Sequence, residues 1–156
     1  MLFRSVHVEL YRDQNVPLET EESKLGNEYN KLSGSLTVRF RGEEKTLVAM
    51  GRYQEEPDRA TREEAWRLVA GRRLDEAPNF DRLMDGLVKL RHQMAVNAGF
   101  GDYRDFAFRL RRRFDYGPAD CERFHDAIEA EVMPVYRELQ ARRREQMKLQ
   151  ALRPWD

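Results

Sequence analysis

Between Phe80 and Ala98 the apolar residues Phe80, Leu83, Met84, Leu87, Leu90, Met94 and Ala98 recur three, four or seven positions apart, and Gly99 follows at once. At 3.6 residues per turn those spacings return to one side of an α-helix, whereas a strand would send successive residues to opposite faces. Glycine just past the last member of the stripe suits a helix end, where the chain turns left-handed. A helix of this length with one apolar side must lay that side against other helices or a sheet, and this requirement limits the folds open to the chain.

The same period recurs on both sides of this segment. Leu18, Leu25, Tyr29 and Leu32 share a helical face that Gly34 is expected to close, and Trp66, Val69, Ala70 and Leu74 share another. The run Glu55-Glu56-Pro57-Asp58 supplies the start of that second helix, with acidic groups at its positive end. Asp75 to Asn79, containing Pro78, interrupts the pattern. Tyr103, Phe106 and Leu110 mark a short helix after Gly99 and Gly101. Cys121, Phe124, Ile128, Val132, Tyr136 and Leu139 mark a long one opening at Gly117-Pro118, with Pro134 expected to kink it. Only Leu36, Val38 and Phe40 alternate with polar residues, and Gly42 offers a turn back. The expected fold is therefore mainly α, bundle-like, with one small β-hairpin at about 35–47 and helices at about 16–33, 58–74, 79–98, 102–113 and 118–150. Residues 1–156 read as one helical segment, with Trp66, Leu87, Phe106 and Phe124 buried in it.

Charged residues make up 36% of the chain, so its core is thin and its helices show broad polar faces. Lys plus Arg equals Asp plus Glu at 28 each, which leaves no global field to draw the chain onto nucleic acid or an anionic membrane. No apolar run reaches membrane-spanning length. The single cysteine, Cys121, rules out an internal disulfide framework and, with no secretory leader in view, fits a cytoplasmic protein.

Candidate chemistry is sparse. Glu122 and His125 lie three apart and Glu129 four beyond, a spacing that could turn three ligands toward one ion, but helical metal sites of this kind need a second such motif and none is present. His92 reads as a helix-edge residue. Ser5, Ser23, Ser33 and Ser35 lack the glycine elbow of a serine nucleophile, and Cys121 has no evident partner base. Arg104, Arg109, Arg111, Arg112 and Arg113 interleave with Tyr103, Phe106, Phe108, Phe114 and Tyr116, a mixture able to stack bases and neutralise phosphates. Asp102, Asp105 and Asp115 interrupt it, and its aromatics follow the spacing of a core, so nucleic acid is not expected as a partner.

The phrases LRHQMAVNAGF, DYRDFAF, RFDY and CERFHDAIEAEV, in this order and flanked by LYRDQNVPLETE, GSLTVRFRGEEKTL, PDRATREEAWRLVAGRRL and LRPWD, resemble the middle region of the oligoendopeptidase F and thimet-oligopeptidase-like zinc metallopeptidases. That family is expected to hold zinc with the two histidines of an HExxH helix and a glutamate from a later helix. The motif's own glutamate activates water. His7, His92 and His125 are the only histidines here, and none has another four residues away. The resemblance thus implies a non-catalytic, pre-HExxH segment that walls a peptide-binding cleft, with no catalytic residue, no metal ligand and no cofactor of its own. Zinc and its ligands would belong to the complete parent, downstream of Asp156, and the parent would cleave internal bonds of short peptides. Which residues touch substrate is unknown from sequence. The implied partners are short peptides, through the parent, and the downstream catalytic half; apolar surface shaped for that half could also drive self-association. The alternative is a free-standing helical interaction protein without peptidase chemistry, which an initiating Met1 permits and the ending LRPWD argues against.

Overall fold

The structure, a computed structural model, describes residues 2–156, with side chains from Val6 onward. It is mainly α, 74% helical, and among the described residues its only sheet is one antiparallel pair of strands. The chain divides into two compact units: the first runs through Ala107 and takes in Trp155, and the second is Phe108–Pro154 with Asp156.

Two long helices organise the first unit. Helix α1 (Leu2–Leu10) precedes α2 (Val16–Ser35), which packs on α5 (Ala77–Asn97). A buried asparagine registers the pair: Asn15 Nδ2 donates to the Met94 carbonyl at 3.0 Å, and its Oδ1 accepts from Asn97 Nδ2 at 2.8 Å. A polar side chain this far from water needs both partners, so these bonds fix where α2 begins against where α5 ends. The helices approach closely at Gly86, where a Cβ would stand 3.0 Å from Leu25 Cδ1. Val6, Leu10, Ala95, Ala98 and Phe106 close one core cluster below.

Strands β1 (Thr37–Phe40) and β2 (Glu43–Thr46) pair with Phe40 opposite Glu43. Arg41 and Gly42 turn the chain with φ of 52° and 84°, the left-handed pair that a two-residue hairpin loop requires. Alternation sends Val38 and Phe40 inward, where they meet Met50, Tyr53 and Ala65. Met50 ends a short helix, α3 (Leu47–Met50), and Tyr53 sits in the 3-10 turn Gly51–Gln54 that follows. Neither α1 nor α3 is foreshadowed by the apolar periodicity.

Helix α4 (Arg59–Asp75) opens on Asp58, whose carboxylate accepts from Ala60 N at 3.3 Å, Thr61 N at 3.0 Å and Thr61 Oγ1 at 2.7 Å. The Thr61 hydroxyl, then the Thr61 and Ala60 amides, favour the charged form and hold the Asp58 carboxyl below its ordinary range. A depressed carboxylate contributes stability at neutral pH that disappears as pH falls through its folded value, on the acid side of about pH 4. Asp58→Ala should lower the denaturation midpoint at pH 7 and flatten its decline between about pH 4 and 2. Parallel pH series of thermal melts would check this; curves that stay a constant distance apart down to pH 2 would exclude the cap as the source. Pro78, expected to interrupt helix, lies in the first turn of α5, where its missing N–H costs no bond.

The second unit holds the end of α6 (Tyr103–Leu110), α7 (Pro118–Ala127), a π turn at Ile128–Val132, and α8 (Met133–Gln146). Asp120 reaches back to the Gly117 amide at 2.7 Å to cap α7. The wide turn comes directly before Pro134, with Met133 N donating to Ile128 O five residues back. Proline has no N–H and its ring crowds the carbonyl four residues earlier, so a change of register there relieves the clash that a regular helix would suffer. The 118–150 expectation therefore resolves into two helices around a π turn, ending at Gln146, and the 102–113 helix ends at Leu110. Both ends turn left-handed at non-glycine residues, Arg112 (φ 58°) and Lys148 (φ 53°).

The face assignments need correction at several positions. Phe124, expected to be buried, is 64% exposed, and Leu74, expected to face inward, is 72% exposed. Val132, Tyr136 and Leu139 of the same long-helix stripe are more than half exposed as well. The apolar stripes exist as read, but no element of the described chain covers these parts of them. Phe106 is buried, while Trp66 and Leu87 are half-buried.

Candidate functional site

The residues singled out for chemistry do not assemble into a centre. Glu122 and His125 are exposed on α7; Glu129 lies in the π turn and accepts from Arg137 at 2.9 Å. Among the described residues no group of three or more His, Cys, Asp or Glu side chains is placed to hold a metal ion. His92 is exposed on α5, Cys121 is half-buried, and the Ser23 and Ser35 hydroxyls donate to the Glu19 and Leu32 carbonyls within their own helix. The Ser5 side chain lies outside the described ones.

The arginine-aromatic run has a structural use. Arg113 lies over Phe108 and Tyr116 at 5.1 and 5.9 Å, Arg109 lies over Phe114 at 4.9 Å, and Phe108 meets Tyr116 edge-on at 5.9 Å. These contacts set ring faces against the unit's own guanidinium groups and so compete with any base that would stack there. Arg104 is drawn toward Asp105, at 3.3 Å.

Surface suited to a ligand lies instead on the first unit. A groove of about 570 Å³ is bounded by Leu47, Met50, Gly51, Gln54, Trp66, Val69, Ala70, Arg73 and Leu74. A second, of about 420 Å³, is bounded by Tyr29, Ser33, Leu36, Arg73, Phe80, Leu83, Met84 and Leu87. Their sizes fall in the range of small-ligand clefts, and their walls are apolar and aromatic with few polar groups, as such clefts usually are. Arg73 borders both and is the one charged residue in either lining. Its neighbours on α4 are paired, Arg72 with Glu76 at 2.8 Å and Arg67 with Glu63 at 2.7 Å. No carboxylate among the described residues pairs with Arg73.

One wall is braced from far along the chain. Trp155 is buried against Trp66 with ring centroids 5.3 Å apart, Arg67 lies over the Trp155 ring at 4.8 Å, and Arg62 Nε donates to its carbonyl at 2.7 Å. Its indole N–H has no hydrogen-bond partner among the described residues. Apolar spacing gave the helix that carries Trp66 and the one that carries Phe80 and Leu87, but nothing in the sequence singles out Arg73: its place between the two grooves follows from how α2, α4 and α5 pack.

The sequence profile of peptidase family M3 matches residues 52–156. No curated relative matches the chain. Solved structures are similar over 99% of it: an oligoendopeptidase F from Bacillus anthracis str. Ames at 25% identity and TM-score 0.92, and a PZ peptidase A solved with an inhibitor at 28% identity and TM-score 0.94. A further oligoendopeptidase F shares 27% identity at TM-score 0.94. The chain spans 28% of the length of the first two.

Proposed function

Because this chain belongs to peptidase family M3, we propose that it is a non-catalytic helical segment that forms part of the wall of a peptide-binding cleft in a zinc-dependent oligoendopeptidase. The observation that carries this reading is the pair of adjoining apolar grooves, set in a fold that is similar over 99% of its length to about a quarter of each oligopeptidase. A cleft wall must accept varied side chains without fixed polar demands, and nearly uncharged grooves in a chain that is 36% charged meet that need. The working protein would be cytoplasmic and would cleave internal bonds of short peptides, with this segment binding and aligning them. Among the described residues no helix is long and apolar enough to cross a membrane.

The residues present do not fit the zinc that the family implies: Glu129 is engaged by Arg137, and the described histidines have no clustered carboxylates or thiols. Zinc would be held by the downstream catalytic half, which would also be this segment's principal protein partner.

The purified chain is expected to bind short apolar peptides, to hydrolyse none of them, and to lose zinc on dialysis. Calorimetric titration, product chromatography and metal analysis measure the three. Stoichiometric retained zinc or chelator-sensitive turnover would overturn the non-catalytic assignment, and absence of any peptide binding would overturn the cleft-wall role.

A further inference from the structure

We propose that Arg73 and the two grooves beside it form a recognition site for the free C-terminal carboxylate of an apolar peptide. This deepens the cleft-wall reading and rests on it. A lone guanidinium between two apolar grooves suits a ligand that is apolar over most of its length and carries one negative charge. More than a third of the chain's residues are charged, yet among the described residues Arg73 is the only charged one lining either groove, and no described carboxylate pairs with it, while Arg67 and Arg72 on the same helix are paired. One guanidinium at the site therefore stands without a described carboxylate in ion-pair range. The planar fork of an arginine meets a carboxylate through two parallel hydrogen bonds, which fixes the orientation of the chain end as well as holding it. With the terminus on Arg73, apolar side chains preceding it can enter the groove beside Trp66 and the groove beside Phe80.

An acidic side chain within a peptide could meet Arg73 as well, but both grooves border it, so two apolar side chains close to the anion gain the most. A terminal residue offers the carboxylate on the backbone and leaves its own side chain free for one of the grooves. The apolar part supplies burial and the ion pair supplies selection.

The test uses one tetrapeptide, Leu-Leu-Phe-Leu, as free acid and as C-terminal amide, titrated calorimetrically into the wild-type chain and into Arg73→Gln and Arg73→Lys. The acid is expected to bind wild type about tenfold tighter than the amide, the scale of one charge-assisted hydrogen-bonded pair at a partly wet site. Arg73→Gln should bring the acid to the amide's level. Arg73→Lys should keep part of the preference, because it keeps the charge and loses the fork. Arg73 is exposed, so neither variant should shift the melting temperature, and circular dichroism on the same samples establishes that they are folded. Equal binding of acid and amide by wild type, or a preference that survives in Arg73→Gln, would overturn this site while leaving the cleft-wall reading in place. Binding of neither peptide would overturn both.

Discussion

Phe40→Ala should cost about 3–5 kcal/mol of stability, against less than about 1 kcal/mol for Phe124→Ala. The two residues are the same chemically and opposite in setting. Phe40 is 1% exposed, its ring lies 4.6 Å from that of Tyr53, and it shares a cluster with Val38, Met50 and Ala65 that ties the hairpin to α4. Removing the ring withdraws apolar surface from the core and leaves a cavity that a two-stranded sheet cannot close by shifting, since its register is held by the tight Arg41-Gly42 turn. Phe124 is 64% exposed, so truncating it removes little that folding had buried. For a domain of ordinary stability the first loss is a large fraction of the total. Chemical denaturation of the two variants beside wild type measures both. A Phe40→Ala midpoint indistinguishable from wild type would mean that the hairpin does not pack as described, and a large loss at Phe124 would mean that its helix face is covered.

The contrast between these two phenylalanines also shows what could be read in advance. Apolar periodicity locates an amphipathic helix and the side it would bury, because that follows from 3.6 residues per turn alone; α2, α4, α5 and the alternating Val38 and Phe40 are legible on this ground. Periodicity does not say whether a second surface arrives to cover the stripe. Phe106 finds Val6 and Leu10; Phe124 finds no cover. Helix ends divide in a similar way. Gly99 announces its left-handed turn by being glycine, with Gly99 N bonded to Val96 O at 2.9 Å and Phe100 N to Ala95 O at 2.9 Å. Arg112 and Lys148 occupy the same position in the same pattern of closing bonds, yet nothing about an arginine or a lysine advertises it, so the helices before them were expected to run longer. Long-range pairs leave still less trace: the tilted packing of Trp155 against Trp66 and the bonds that join Asn15 to Met94 and Asn97 link residues that are distant in sequence. The candidate grooves depend on such pairs, and Arg73 becomes notable only once two linings have been assembled around it.

Uncovered stripes have a consequence in solution. Val135, Tyr136 and Leu139 lie within three or four residues of one another on α8, so they share a side, Val132 closes the π turn just before them, and each is more than half exposed, as is Phe124 on α7. Monomeric soluble proteins rarely leave contiguous apolar areas of this kind open to water, and those that do commonly meet a partner there. We expect the purified chain to self-associate. Sedimentation over a concentration series should show an average mass that rises with concentration. The double variant Phe124→Lys, Leu139→Lys should remain monomeric over the same range. Burying one large apolar side chain contributes about 1.5–3 kcal/mol, so losing two from an interface should weaken association by a hundredfold or more. Both side chains are mainly exposed within the monomer, so the variant should melt with wild type, which separates loss of an interface from loss of fold. A wild-type chain that stays monomeric at every concentration would favour a free-standing role, and unchanged association in the double variant would move the sticky surface to the first unit, where Val48 and Val8 are the most exposed large apolar residues, at 91% and 73%.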